Sequence, residues 1–262
     1  MQEIIITTVV IGVIGLVIGI ALVAAGKKFY VAVDEKAIAV RECLPGNNCG
    51  ACGYAGCDAV AAAIAAGEAP VNACPVSSAD VVDMIGAIMG VEAEAAQRKT
   101  AQVKCSGDCE HTSAKCNYVG IEDCRAAALA GLNTGSCTFG CLGYGSCVKA
   151  CTYDAIHVVN GVAKVDTSKC VGCGMCAKAC PKGLIEVVRA DRTFVVQCSN
   201  KDRGPAVKKV CSAGCLGCGA CVKQCEHDAI HLEGNLAYID YDKCVGCGKC
   251  TEKCPAKNIV RQ

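Results

Sequence analysis

Residues 170–181 read CVGCGMCAKACP, and residues 244–255 read CVGCGKCTEKCP. Each stretch has the spacing C-x2-C-x2-C-x3-C, with Pro181 or Pro255 directly after its last cysteine. That spacing wraps a short chain around an iron–sulfide cube. Three cysteines hold one [4Fe–4S] cluster and the fourth holds its neighbour. Twenty-seven of the 262 residues are cysteine, and most fall in runs of this kind. So many cluster ligands on one chain point to one-electron relay rather than bond chemistry.

Two other uses of cysteine compete. A disulfide framework suits short secreted chains. This chain is long and starts without a convincing cleavage pattern. Zinc sites need C-x2–4-C pairs separated by a loop. Evenly close-spaced fours fit a cube better, whereas zinc stays open for the irregular cysteines.

Residues 137–180 and 211–254 are two copies of one unit. They open with CTFGCLGYGSCVKAC from Cys137 and CSAGCLGCGACVKQC from Cys211. A hairpin follows in each: AIHVVNGVAKVD, turning at Asn160-Gly161, and AIHLEGNLAYID, turning at Gly234-Asn235. Run, hairpin, run is the plan of a two-cluster ferredoxin. The expected fold class is therefore α+β, with two tandem bacterial-type two-cluster ferredoxin modules. In the second module, Cys215, Cys218, Cys221 and Cys254 make one ligand set, and Cys225, Cys244, Cys247 and Cys250 the other. In the first, Tyr144 stands where the second has Cys218. The expected sets there are Cys137, Cys141, Cys147 and Cys180, with Cys137 as the substitute, and Cys151, Cys170, Cys173 and Cys176. A three-iron cluster is the alternative for the first set.

Upstream, CGACGYAGC supplies Cys49, Cys52 and Cys57, and Cys74-Pro75 follows. The alanine-rich stretch Asp58 to Ala66 is helical by propensity and would return Cys74 to the other three. Gly50, Gly53 and Gly56 let backbone N–H groups approach the sulfurs. Cys105, Cys109, Cys116 and Cys124 have the irregular spacing C-x3-C-x6-C-x7-C. They suit a cluster, a zinc ion or a mixed set with Cys137. The count is about six [4Fe–4S] clusters, with Cys43, Cys198 and Cys211 left over. Cys198 precedes the second module much as Cys105 precedes the first, which leaves room for an unrecognised site with Cys211.

Ile4 to Ala25 is a run of 22 uncharged residues followed by Gly26, Lys27 and Lys28. It reads as a single transmembrane helix, with the N-terminus outside and the rest on the cytoplasmic side of the cell membrane. With no ionisable group inside it, this chain alone does not pump ions. The expected order is an anchor at 1–28, a cluster domain at 29–77, a helical linker at 78–100 and an irregular segment at 101–136. The ferredoxin modules follow at 137–190 and 211–262, joined by a linker at 191–210. There is no Trp and there are three Phe, so cluster binding must supply much of the folding energy. Residues 170–262 carry 14 Lys/Arg against 9 Asp/Glu. No basic–aromatic interleaving suggests nucleic acid.

The order of these parts, LPGNNCGACGYAGC and then CTFGCLGYGSCVKAC with paired ferredoxin runs, resembles the B subunit of the Rnf complex family. These complexes are membrane ferredoxin:NAD oxidoreductases. The resemblance implies an electron-transfer subunit that takes electrons from soluble ferredoxin and relays them to other membrane and peripheral subunits. The complex couples that flow to Na⁺ or H⁺ translocation. The lipid bilayer is the further partner through the N-terminal helix. No G-x-G-x-x-G follows a strand, so NAD chemistry falls to a partner. No catalytic residue stands out. A membrane-tethered polyferredoxin serving another redox enzyme or a redox regulator is the alternative.

Overall fold

The computed structural model describes residues 2–28, 34–92, 97–131 and 134–261. Helix α1 covers Gln2–Lys28. Among the described residues, no helix is long and apolar enough to cross a membrane. The expected transmembrane helix is corrected by this finding. The side chains described on α1 are Ile6 and residues 12–25. The remaining side chains of the 4–25 run lie outside the described residues. The described apolar side chains of α1 are exposed, Leu16 and Leu22 among them.

The first folded unit has three helices: α2 (Glu35–Cys43), α3 (Cys57–Ala65) and α4 (Ala79–Met89). Asp34 caps α2 by accepting from the Lys36 N–H at 2.9 Å. The alanine-rich α3 presents Val60 and Ile64 to Val40 and Leu44 of the α2 segment and to Ile85 of α4. Gly90 ends α4 in the left-handed region (φ 72), a common C-terminal cap. The helix expected to run from Ser78 to Lys99 therefore stops there. Residues 93–96 lie outside the described residues, and Lys99 already belongs to a strand.

Two similar modules follow. The first comprises β1 (Lys99–Val103), α5 (Cys124–Leu129), α6 (Ser146–Lys149), β2 (Ile156–Val159), β3 (Val162–Val165), α7 (Met175–Ala179) and β4 (Ile185–Arg189). The second comprises β5 (Phe194–Val196), α8 (Gly204–Val210), α9 (Ala220–Gln224), β6 (Ile230–Glu233), β7 (Leu236–Ile239), α10 (Lys249–Glu252) and β8 (Ile259–Arg261). The hairpins β2–β3 and β6–β7 form where the turn residues predict them. Asn160 and Gly161 both have positive φ, as a two-residue hairpin turn requires. A second antiparallel pair closes each module. Lys99 to Val103 lie opposite Arg189 to Ile185, and Phe194 to Val196 lie opposite Arg261 to Ile259. Strand β5 thus comes from a segment that reads as linker, and β1 straddles the boundary between the helical linker and the irregular segment.

The modules meet through a reciprocal contact. Ser106 Oγ donates to the Gln197 carbonyl at 3.2 Å, and Ser199 Oγ donates to the Lys104 carbonyl at 2.9 Å. Each serine follows the outer strand of its own module and reaches the equivalent carbonyl of the other. The seam therefore has an approximate twofold character.

Candidate iron–sulfur sites

The second module brings Cys215, Cys218, Cys221 and Cys254 around one cavity of about 330 Å³. Its other set gathers beside α10, where Cys250 faces Cys244, Cys247 and Cys225. In the first module, Cys151, Cys170, Cys173 and Cys176 line a cavity of about 340 Å³. The loops that carry the first runs lie tight against the hairpin turns. A Cβ on Gly217 would stand 2.6 Å from the Asn235 carbonyl oxygen, and one on Gly143 2.7 Å from that of Gly161. Both glycines have positive φ, so close approach and backbone conformation each demand glycine.

The first set of the first module departs from the sequence expectation. A cavity of about 350 Å³ is lined by Cys141, Cys147 and Cys180 together with Cys124. Cys137 lines a different cavity. Tyr144, which stands where the second module has Cys218, packs its ring against Tyr118 with centroids 5.2 Å apart. Cys124, the first residue of helix α5, reaches this cavity from outside the run. Asp123 caps α5, accepting from the Arg125 and Ala126 N–H groups at 2.8 and 3.3 Å. Ser146 Oγ donates to Asp123 and accepts from the Cys124 N–H, each at 2.8 Å. The Ser146 hydrogen bond holds the Asp123 carboxyl below its ordinary range. Arg125 donates to the carbonyls of Lys178 and Ala179, tying α5 to the segment that delivers Cys180.

The irregular cysteines are accordingly dispersed. Cys105 is half-buried beside Cys137 and Cys141, and Cys124 sits on α5. Cys109 and Cys116 are exposed. The structure does not gather Cys105, Cys109, Cys116 and Cys124 into one site. Spacing could not reveal the placement of Cys124. The available signal was a tyrosine in a ligand position with a helix-capped cysteine upstream.

In the first unit, Cys57 and Cys74 are buried with the apolar core, and Cys52 packs against it. Asn48, at φ 48, accepts from the Cys57 N–H at 2.7 Å and shapes the loop that carries Cys49. This loop touches the first module. Asn47 Nδ2 donates to the Tyr153 hydroxyl, and Lys178 Nζ donates to the Gly50 carbonyl at 3.5 Å. Tyr153 thus stands between two cysteine sets. Burial, and then Cys49, Cys173, Cys74 and Cys57, push its phenol up to about 12.

These donor sets suit iron–sulfur cubes. Burial pushes the Cys147 thiol up to about 12 and those of Cys176 and Cys221 up to about 11, with neighbouring cysteines adding to the rise. A buried thiol in such company ionises only when a cation takes the proton's place. Backbone N–H groups already point at sulfur, from Ala101 to Cys170 at 3.3 Å and from Ala229 to Cys225 at 3.4 Å. Among the described residues, no three His, Cys, Asp or Glu side chains converge as on a single metal ion. Tetrahedral zinc with bonds of about 2.3 Å would draw its sulfurs to roughly 3.8 Å from one another. A cube gives each thiolate its own iron and holds the sulfurs farther apart.

Comparison with known proteins agrees. Family models match at residues 44–76 for an Fe–S cluster, 163–186 for a 4Fe–4S binding domain and 214–258 for a 4Fe–4S dicluster domain. The chain is 44% identical over 235 residues to the B subunit of the Na⁺-translocating ferredoxin:NAD⁺ oxidoreductase complex of Acetobacterium woodii. That match covers 89% of this chain and 71% of the relative. It is 40% identical to the proton-translocating counterpart of Clostridium ljungdahlii, over 92% and 85% of the two chains. It is 39% identical to the B subunit of the ion-translocating oxidoreductase complex of Methanosarcina acetivorans, over 94% of each.

Proposed function

This chain belongs to the B-subunit family of ion-translocating ferredoxin:NAD⁺ oxidoreductase complexes, the Rnf family, and on that premise we propose that it relays electrons from reduced ferredoxin to other subunits of such a complex. The observation that carries this reading is the succession of cysteine sets. Cys49, Cys57 and Cys74 of the first set lie near Tyr153 together with Cys173 of the next. Within the first module, Cys147, Cys170 and Cys176 share one core, and within the second, Cys215, Cys221 and Cys250 share another. When bound, [4Fe–4S] clusters supply reversible one-electron chemistry.

The chain's own residues hold and tune these sets. Cys124 completes the set of Cys141, Cys147 and Cys180, and the Asp123–Ser146 pair fixes its helix. N–H groups aimed at sulfur favour the reduced, more negative state of a cluster. Ferredoxin is the proposed donor. The ligand thiols exposed for its approach are Cys218 and Cys247, in the half of the chain with the basic excess. NAD⁺ reduction belongs to another subunit of the membrane-associated complex. The exposed apolar side chains of α1 offer those subunits a contact surface. Similarity does not choose the ion, because one relative is named for Na⁺ and another for protons.

The test is anaerobic purification of the tagged chain from its own membranes, assayed for NAD⁺ reduction by reduced ferredoxin. Activity in a multi-subunit assembly supports the proposal. An iron-rich, intact assembly inactive towards NAD⁺ rejects it in favour of a wire serving another acceptor.

A further inference from the structure

Four cysteines outside the five sets above converge on the seam between the modules. Cys105, Cys137, Cys198 and Cys211 line a single cavity of about 460 Å³, at least as large as the 330–350 Å³ cavities of the ferredoxin sets. A Cβ placed on Gly107 would lie 3.3 Å from Cys211 Sγ and 3.7 Å from Cys105 Sγ, so sulfurs from the two modules flank one point. The arrangement repeats across the seam. Cys105 follows β1 as Cys198 follows β5, and Cys137 opens the first run as Cys211 opens the second.

Their surroundings repeat too. The backbone N–H groups of Cys141 and Gly107 face Cys105 Sγ. The equivalent N–H groups of Cys215 and Asn200 donate to Cys198 Sγ at 3.3 and 3.4 Å. Asn200, 2% exposed, also directs its side-chain Nδ2 at Cys137 Sγ, 3.5 Å away. Cys198 and Cys211 are themselves buried. Buried N–H groups trained on sulfur are what a thiolate bound to a cluster requires, and each module contributes two of the thiols.

We propose that Cys105, Cys137, Cys198 and Cys211 hold a [4Fe–4S] cluster on the approximate twofold seam between the two ferredoxin modules. It lies between Cys141 of one module's first set, which lines the same cavity, and Cys215 of the other's, whose N–H bonds Cys198. The site rests on the cluster chemistry proposed above but not on which acceptor the chain serves.

The test is iron and acid-labile sulfide per chain in the anaerobically purified full-length protein, with metal analysis. Cys198→Ser/Cys211→Ser should lose four iron and four sulfide, while Cys116→Ser, at an exposed position, should lose none. Unchanged iron in the double variant overturns the proposal, and so does the loss of one zinc in place of iron. Should the double variant lose several clusters together, Asn200→Asp decides. It keeps an acceptor for the Asp202 N–H, which bonds Asn200 at 2.8 Å, and turns a carboxylate towards Cys137. One midpoint potential should then fall with iron content unchanged, and an unaltered redox titration overturns the site. Ferredoxin:NAD⁺ activity is read separately, so a wrong acceptor and a missing cluster give different results.

Discussion

Replacing Cys124 by serine should strip one corner from the first cluster of the first module. The remaining thiols, Cys141, Cys147 and Cys180, hold three irons, so that centre should convert to a three-iron form and the chain should lose one iron. The second module suggests the rescue, because Cys218 stands where the first has Tyr144. Cys124→Ser/Tyr144→Cys should restore the fourth iron. Its main cost is the Tyr118–Tyr144 contact at 5.2 Å, worth about 0.5–1.5 kcal/mol. A four-ligand metal site is worth about 10–16 kcal/mol in small zinc domains, or roughly 2.5–4 kcal/mol per ligand. Regaining a ligand therefore outweighs losing the ring pair. The assay is iron content with electron paramagnetic resonance of the oxidised protein, where the three-iron form is paramagnetic. Retention of all iron in Cys124→Ser, with the three-iron signal arising in Cys137→Ser instead, would refute the assignment.

Three other outcomes are expected. Anaerobic chelation of iron should unfold both ferredoxin modules, because cysteines make up much of their small cores, and hydrogen exchange should show β2–β3 and β6–β7 unprotected; protected hairpins in the iron-free chain would contradict this. Ile85→Ala, at a fully buried site on α4, should cost about 2–5 kcal/mol and release the cluster of the first unit at lower denaturant than in the wild type, as followed by its visible absorbance. Gly143→Ala should destabilise the first module by about 1–3 kcal/mol through its strained φ, and more through the clash with Gly161. Gly183→Ala has a similar φ but open space around it, so chemical denaturation of the pair separates strain from clash; equal losses would remove the clash.

What the sequence made legible was whatever is local. The complete runs and the hairpins rest on short spacings within one segment, the repeat is a copy of that same pattern, and the chain encodes these directly. Cys124 was not legible as a partner of Cys141, because it arrives on a helix from outside the run and only Tyr144 marks the gap. The seam cysteines come from separate segments, so no spacing unites them. Strands β1 and β5 span five and three residues, and each pairs with a strand far along the chain. Such short edges carry little pattern of their own. Gly90 was a legible stop for α4, although the stretch from Ser78 to Lys99 read as one helix. The apolar run near the N-terminus does form a helix, yet among the described residues no helix is long and apolar enough to cross a membrane.

The reciprocal serine contacts have a consequence for assembly. Ser106 and Ser199 trade equivalent bonds across the seam, which is how two identical subunits meet about a twofold axis. A single module of this kind would expose half a thiol cage and a self-complementary edge, and two copies could complete the cage only at sufficient concentration. Joining the halves in one chain replaces that bimolecular encounter with an intramolecular one, at an effective concentration set by a short connection. The tandem chain behaves as a dimer that cannot dissociate. Its two halves are free to diverge, and Tyr144 against Cys218 is a difference that an exchangeable homodimer could not maintain.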